Sequence, residues 1–431
     1  MKNMRTSFGT LLALVGLFFG AACGGHTEAK GPHQVIQSDL EREIAPKVSE
    51  EHQKSINGGN AAFAFDLYSE MSRSDDDNVF ISPLSMSTAF AMLYAGARNE
   101  TAAEMAGVFH YDLDPADIHP AYNWLDQELE KRGEGAKGSD DKPFRLKVAN
   151  ALWGLEGHPF ELDYLDTLAL NYGAGLSVLD FIGDSLGAVN RINDWVNEKT
   201  EGTIPTIVSP SVVTSLTRLV LTNAVYFNAA WSHKFDEKDT YDAPFESPNG
   251  SIDVATMHQT EYFDYGSGEG YQAVSLPYDG HELSMVIIVP DAGTFSAFEQ
   301  GLTSESFQGI VEGLKMENVA LSMPKFQFKG LYRMVAPLKN LGLQSAFGPE
   351  ADFSGIDGTT DLSLSGVVHK SFVRVHEGGT EAAAATALIA GVTSVPPPPI
   401  EVKIDRPFLF AIQDHATGTI VFLGRVKTPK N

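Results

Sequence analysis

Few groups of residues in this 431-residue chain have the types and spacing to do chemistry. Gly183-Asp184-Ser185-Leu186-Gly187 fits the Gly-x-Ser-x-Gly turn that presents a nucleophilic serine between a strand and a helix. A strand-like run, Leu176–Phe181, precedes it, yet no spaced Asp and His stand out downstream to act as its base. The plainer reading is a helix start capped by Asp184 or Ser185. The 12 histidines include no His-x-x-x-His pair, and the single cysteine gives them no partner, so a metal centre is not expected. Gly266-Ser-Gly-Glu-Gly270 lacks dinucleotide spacing and reads as a turn. Among 56 acidic residues, Asp75-Asp76-Asp77 and Asp140-Asp141 are solvated loops rather than acid–base pairs. No nucleophile–base set survives, so neither catalysis nor a cofactor is expected.

One stretch is instead built to be acted upon. Val367–Val375 alternates like a strand, Gly378-Gly379 follows, then Thr380, Glu381 and the run Ala382, Ala383, Ala384, Ala385. A proline tetrad, Pro396–Pro399, comes before a second strand signal that starts at Pro407. A loop of about 25 residues between two strands is functional or disordered more often than structural. If extended, Thr380, Ala382, Ala384 and Thr386 share one face, and Glu381, Ala383, Ala385 and Ala387 the other. Side chains this small could enter a packed sheet without overfilling it. The glycines supply the pivot, and fifteen inserted residues would reach roughly 50 Å. Alanine also favours helix, so the local sequence leaves a short helix and an insertable strand both open.

Several motifs in fixed order resemble the serpin family, from Ile56 to Lys427. They are Asn78-Val-Phe-Ile-Ser-Pro-Leu-Ser, Leu219-Val-Leu-Thr-Asn-Ala-Val-Tyr-Phe-Asn-Ala-Ala-Trp, Met285-Val-Ile-Ile-Val-Pro, Ser322-Met-Pro-Lys-Phe and Ala351-Asp-Phe-Ser-Gly-Ile. Gly379–Ala387 and Arg406-Pro-Phe-Leu-Phe complete the set. The resemblance implies an α+β serpin fold with a large sheet A, two smaller sheets, about eight or nine helices and an exposed reactive-centre loop at about 377–403. It also implies a suicide mechanism, in which a serine protease cleaves the loop and is trapped as an acyl-enzyme while the loop inserts as a strand into sheet A. Loop insertion by serpins is itself a standard example of strand addition. Glu377, Gly378, Gly379, Thr380, Glu381 and Ala382 to Ala385 match the hinge. Ser82, Ser85, Asn223 and His369 match the cluster beneath the point where sheet A opens. Lys325 and Glu377 match an ion pair at the sheet top, near Trp231.

In the family's usual inhibitory spacing the scissile bond lies seventeen residues from the hinge glutamate, so the resemblance, counted from Glu377, implies Thr393–Ser394, with Val392 as the fallback. Counting back from the C-terminal signature points near Pro396, where the imide makes cleavage poor. No Lys or Arg lies between Thr380 and Glu401, so the expected partner is an elastase- or subtilisin-like serine protease with a small apolar pocket. A non-inhibitory serpin acting as a binding protein is the alternative.

The elements that must position this loop are legible in part. Helical patterns cover Asn60–Met71, Ser85–Ala97 and Leu186–Lys199, and strands are expected at Leu219–Phe227, Leu283–Val289, Val319–Phe328, Val367–Val375 and Thr419–Arg425. Helices first and strands later indicate α+β. Residues 1–22 read as an export signal, and Cys23 behind Gly20-Ala21-Ala22 resembles a bacterial lipoprotein cleavage site, although leucine is usual where Gly20 stands. Residues 23–55 read as a lipid-anchored or flexible polar tether and 56–431 as the serpin domain. The chain is thus expected outside the cytoplasm, as a membrane-anchored or else secreted monomer. Removing Lys2 and Arg5 with the signal takes the formal charge from −25 to −27, which disfavours nucleic acid and any membrane contact other than an anchor at Cys23.

Overall fold

A computed structural model describes residues 34–74, 77–380 and 397–430. In chain order the first elements are β1 (Gln34–Ile36), α1 (Glu50–Ser74), β2 (Val79–Ile81), α2 (Pro83–Tyr94), α3 (Asn99–Phe109) and α4 (Pro115–Glu130). There follow β3 (Arg145–Leu155), α5 (Leu162–Tyr172), β4 (Leu176–Leu179), α6 (Ser185–Lys199), β5 (Leu219–Ala230), β6 (Tyr241–Ser247) and β7 (Gly250–Gly268). Next come β8 (Tyr271–Pro277), β9 (Leu283–Pro290), α7 (Phe295–Gly301), α8 (Ser304–Glu312), β10 (Lys315–Pro324), β11 (Phe326–Arg333) and α9 (Val335–Leu341). The last are α10 (Ser354–Asp357), β12 (Leu364–Val375), β13 (Gly379–Thr380), β14 (Ile400–Lys403), β15 (Phe408–Asp414) and β16 (Ile420–Val426).

β5 is buried at every position, so it must be covered on both faces. One side packs on the main core, into which Leu219, Leu221, Val225 and Phe227 point with α1 and α2. The other carries a smaller core, where Val220 and Ala224 meet Ile192 and Val196 of α6. β5 is central in a seven-stranded sheet ordered β1-β4-β3-β5-β12-β11, with β13 attached to β5. The two smaller sheets expected are one nine-stranded sheet, β14-β10-β7-β8-β9-β15-β16-β2 with β6 on β7. They merge because β7 runs through both parts, pairing β6 along its first residues, β10 along its middle and β8 along its end. Ten α-helices occur among the described residues, the shortest a single turn at Ser354–Asp357.

Two sequence boundaries move. The tether expected at 23–55 is in part packed on the domain: β1 pairs antiparallel with β4 at the sheet edge, and α1 opens at Glu50 with acids in its first turn. Arg42 donates to Asn123 at 2.8 Å and to Asp126 at 2.6 Å, fastening this segment to α4. The single strand expected at Val319–Phe328 is two, split at Lys325. Pro324 has no N–H for a further rung, and the chain crosses there from the nine-stranded to the seven-stranded sheet.

Candidate functional site

At the top of the seven-stranded sheet, β12 ends at Val375 and the chain makes a tight turn in which His376 and Gly379 exchange backbone hydrogen bonds of 3.0 and 3.1 Å. Gly379 lies at φ +136, and a Cβ there would come within 2.4 Å of the Ala229 carbonyl oxygen, so only glycine fits. This approach lets Gly379 and Thr380 pair antiparallel with Ala230 and Ala229. Trp231 locks the turn from beneath: its backbone N–H donates to Gly378 O and its indole N–H to His376 O, each at 3.0 Å. Its ring stacks on Tyr278 at 4.7 Å.

Glu377 turns inward, and its carboxylate accepts from Lys325 Nζ and from the Thr240 hydroxyl, each at 2.9 Å. Burial alone would raise its pKa, but the bonds from Lys325 and Thr240 outweigh that and hold the carboxyl below its ordinary value. The ion pair expected at the sheet top is therefore formed beside Trp231.

Midway down the same sheet, Ser82, Ser85, Asn223 and His369 converge, all fully or almost fully buried. The Ser82 backbone N–H donates to His369 Nε2 at 3.1 Å, so Nδ1 carries the ring proton and donates to Asn223 Oδ1. Asn223 Nδ2 donates to Ser85 Oγ and to Asn150 Oδ1, both at 2.5 Å. The Ser82 hydroxyl donates to Val421 O at 2.8 Å. Burial pushes the His369 pKa down to about 3, which keeps the imidazole neutral.

The sequence reading missed two members of this cluster. Asn150, Asn223, His369 and Tyr332 are register partners across β3, β5, β12 and β11, a row of four side chains spanning the sheet. Tyr332 lies nearly parallel to the His369 ring, and its hydroxyl accepts from the Phe80 N–H at 3.1 Å. The available signal was Asn150 itself, a polar residue in the strand Val148-Ala-Asn-Ala-Leu-Trp153.

Beneath this row β5 and β12 are parallel neighbours, bonded directly to each other. Two parallel strands leave a seam that a third strand, running the other way, can enter. Glu381, Ala382 to Ala385, Val392, Thr393 and Ser394 lie outside the described residues, as does Cys23. The chain returns at Pro397, and β14 pairs parallel with β10. The Gly-x-Ser-x-Gly turn is a helix cap, since Asp184 accepts from the Gly187 N–H at 3.0 Å and Ser185 opens α6. Among the described residues no cluster of three or more His, Cys, Asp or Glu could hold a metal ion.

The family model for serpins, the serine protease inhibitors, matches residues 58–429. The chain belongs to the serpin family. An uncharacterized serpin-like protein of Thermococcus kodakarensis is 40% identical over 386 residues, 89% of this chain and 88% of that one. Leukocyte elastase inhibitor A of Mus musculus is 39% identical over 391 residues, 87% of this chain and 100% of its own length. The crystal structure of the thermophilic serpin tengpin in its native state matches with a TM-score of 0.80 at 28% identity, covering 92% of this chain and 100% of that one.

Proposed function

We propose that this serpin inhibits a serine protease with a small apolar specificity pocket, by loop cleavage after Thr393 and insertion of the acylated loop between β5 and β12. The observation that carries the reading is the antiparallel pairing of Gly379 and Thr380 with the top of β5. Continued residue by residue, that register sets Ala382, Ala384 and Thr386 opposite Phe227, Val225 and Asn223, toward the main core. Thr393 then falls opposite Leu216, just beyond the lower end of the sheet at Leu219. The small residues of the loop and the length of the sheet thus agree with the scissile bond counted from Glu377.

In the reaction the protease serine attacks the Thr393 carbonyl, an ester forms, and the Thr393–Ser394 amide breaks with its proton supplied to the Ser394 amine. Insertion replaces one parallel seam by two antiparallel ones. Antiparallel pairing is slightly more stable per residue, and each added backbone bond contributes about 1 kcal/mol net. The uninserted state is therefore held by a barrier, not by being the lowest in free energy. The elastase inhibitor among the relatives supports the class of target.

The test mixes the protein with leukocyte elastase and with a subtilisin and resolves the products by denaturing gel and mass spectrometry. An SDS-stable adduct together with a fragment beginning at Ser394 is expected. Clean cleavage without an adduct would overturn the inhibitory reading.

We further propose that Cys23 is diacylated after export, which would tether the serpin domain to an extracytoplasmic membrane. Labelled fatty acid should enter the protein in a bacterial host and be lost in Cys23→Ser. Equal labelling of both would refute the anchor.

A further inference from the structure

The seven-stranded sheet has an open edge in its interior. β3 runs from Arg145 to Leu155, yet β4 pairs with it only at Trp153, Gly154 and Leu155. On its other side β3 is paired with β5 along the whole run from Arg145 to Gly154. The phase of that ladder shows which groups are left over. The Leu155 N–H donates to Arg218 O at 3.1 Å, on the β5 side. The Phe144 N–H donates to Ala136 O at 3.0 Å and the Glu156 N–H to Leu179 O at 2.9 Å, both away from β5. Backbone groups alternate in direction along an antiparallel pair. The N–H and C=O of Leu146, Val148 and Asn150 therefore point to the open side, where no described strand pairs with them.

Beside this edge lies a cavity of 480 Å³, the size of a ligand pocket. α4 lines it through Tyr122, Leu125 and Leu129, and α2 through Leu84, Thr88 and Met92. Val148 is 40% exposed at its wall, although Leu146 and Leu152 on the same face of β3 pack on the main core. The cations around the cavity are paired, Arg42 with Asp126, Arg132 with Asp414 and Arg145 with Asp140. The exception is Lys147, which stands at the same opening on the other face of β3 and makes no ion pair among the described residues.

We infer that the free edge of β3 is a strand-addition site for an extended segment of a partner protein, one that carries a single carboxylate between two apolar residues. A row of unpaired N–H and C=O groups is a template for another extended chain. Strand addition takes its affinity from main-chain bonds and its selectivity from alternate side chains. Paired antiparallel, the residues opposite Leu146 and Val148 turn into the cavity and must be apolar. The residue between them turns outward opposite Lys147, and an acid there completes a cross-strand pair. A longer acidic run is disfavoured by the formal charge of −25 on the chain as a whole. The occupant continues the line of β4, which begins only at Leu176, so the sheet already provides its position. The site is separate from inhibition, because β5 stands between it and the seam with β12.

The probe is the peptide acetyl-Thr-Val-Glu-Val-Thr-amide, titrated into the full chain by calorimetry, and saturable binding is expected. Lys147→Glu should weaken it about fivefold and strengthen by as much the analogue with lysine at its centre. Methyl groups on both valine nitrogens, which face β3, should abolish binding. One on the glutamate nitrogen, which faces away, should leave it within about twofold. Val148→Pro removes an outward N–H without touching the ladder to β5. It should also abolish binding, with an unchanged unfolding midpoint as the check on its fold. No binding to the parent, or binding indifferent to where the methyl groups sit, would overturn strand addition. Equal affinity for the parent and Lys147→Glu would put the peptide elsewhere, as in the seam between β5 and β12, and overturn this site. A concentration-dependent dimer that the peptide dissociates would give the edge to a second copy of this chain and overturn the partner.

Discussion

The two sheets are held at their centres by different forces. In the nine-stranded sheet Phe80 stacks on Phe422 at 4.8 Å and on Phe410 at 5.7 Å. In the seven-stranded sheet the same level is crossed by Asn150, Asn223, His369 and Tyr332. Close-packed rings have no second set of partners, so parting them opens a cavity. Hydrogen-bonded groups can be handed from one partner to another, and the cost lies in the interval when they have none. One sheet is thus a fixed frame, and the other has a seam whose bonds can be exchanged for those of an incoming strand.

The largest way to break this contrast is to spoil the incoming strand. Ala384 would face Val225 in the main core, where an unpaired charge costs several kcal/mol. Ala384→Arg should leave the native fold intact and convert the protein from inhibitor to substrate, seen as full cleavage with no adduct on a denaturing gel. Next comes the frame. Phe80 is about 1% exposed, and Phe80→Ala should remove about 3–5 kcal/mol of resistance to denaturant, read from the unfolding transition.

The seam should respond differently. Asn223→Ala leaves His369, Ser85 and Asn150 short of a partner, a loss of about 1–3 kcal/mol. Its clearest effect should be kinetic, with inhibitory activity decaying several-fold faster on mild heating than in the parent. If Phe80→Ala sped that decay while Asn223→Ala did not, the contrast between the sheets would be reversed.

The last test is the dependence on pH. Burial lowers the pKa of His369 to about 3 and of His119 to about 4. His376 falls to about 4 through burial, reinforced by Arg374 and Lys325. In the unfolded chain each would titrate near 6.5, so between that value and the folded ones the unfolded state binds more protons. Stability is full above about pH 6.5 and declines as the pH falls through this window. Denaturant midpoints at pH 7.5 and pH 5 should differ in that direction, and by less in His369→Gln.

How much of this was legible in the sequence depends on whether neighbours along the chain or across it supply the information. The Asp184 cap, the buried run of β5 and the hinge glycines follow from local spacing. Ser82, Ser85, Asn223 and His369 were reached through family resemblance, since nothing local marks a buried polar group as shared. Asn150 and Tyr332 enter the row only through strand register, which sequence spacing does not set. The helical pattern legible from Asn60 missed the start of α1 at Glu50, since Gly58-Gly59 lie inside the helix where glycine is a poor helix former. In the structure a Cβ on Gly59 would sit 2.4 Å from His110 O, so that glycine serves helix packing. The three residues of β1 are too few to show a period.

The place where the chain returns from the loop has a consequence for what cleavage does to the molecule. Everything after the proposed bond feeds β14, β15 and β16, and β15 and β16 are interior strands of the nine-stranded sheet. The same segment carries Arg425, fully buried and bonded to Glu299 at 2.9 Å. Hydrolysis would make two chains without making two molecules. In native solution the nicked protein would keep its mass and its partner segment, and only a denaturant would show that the backbone had been cut.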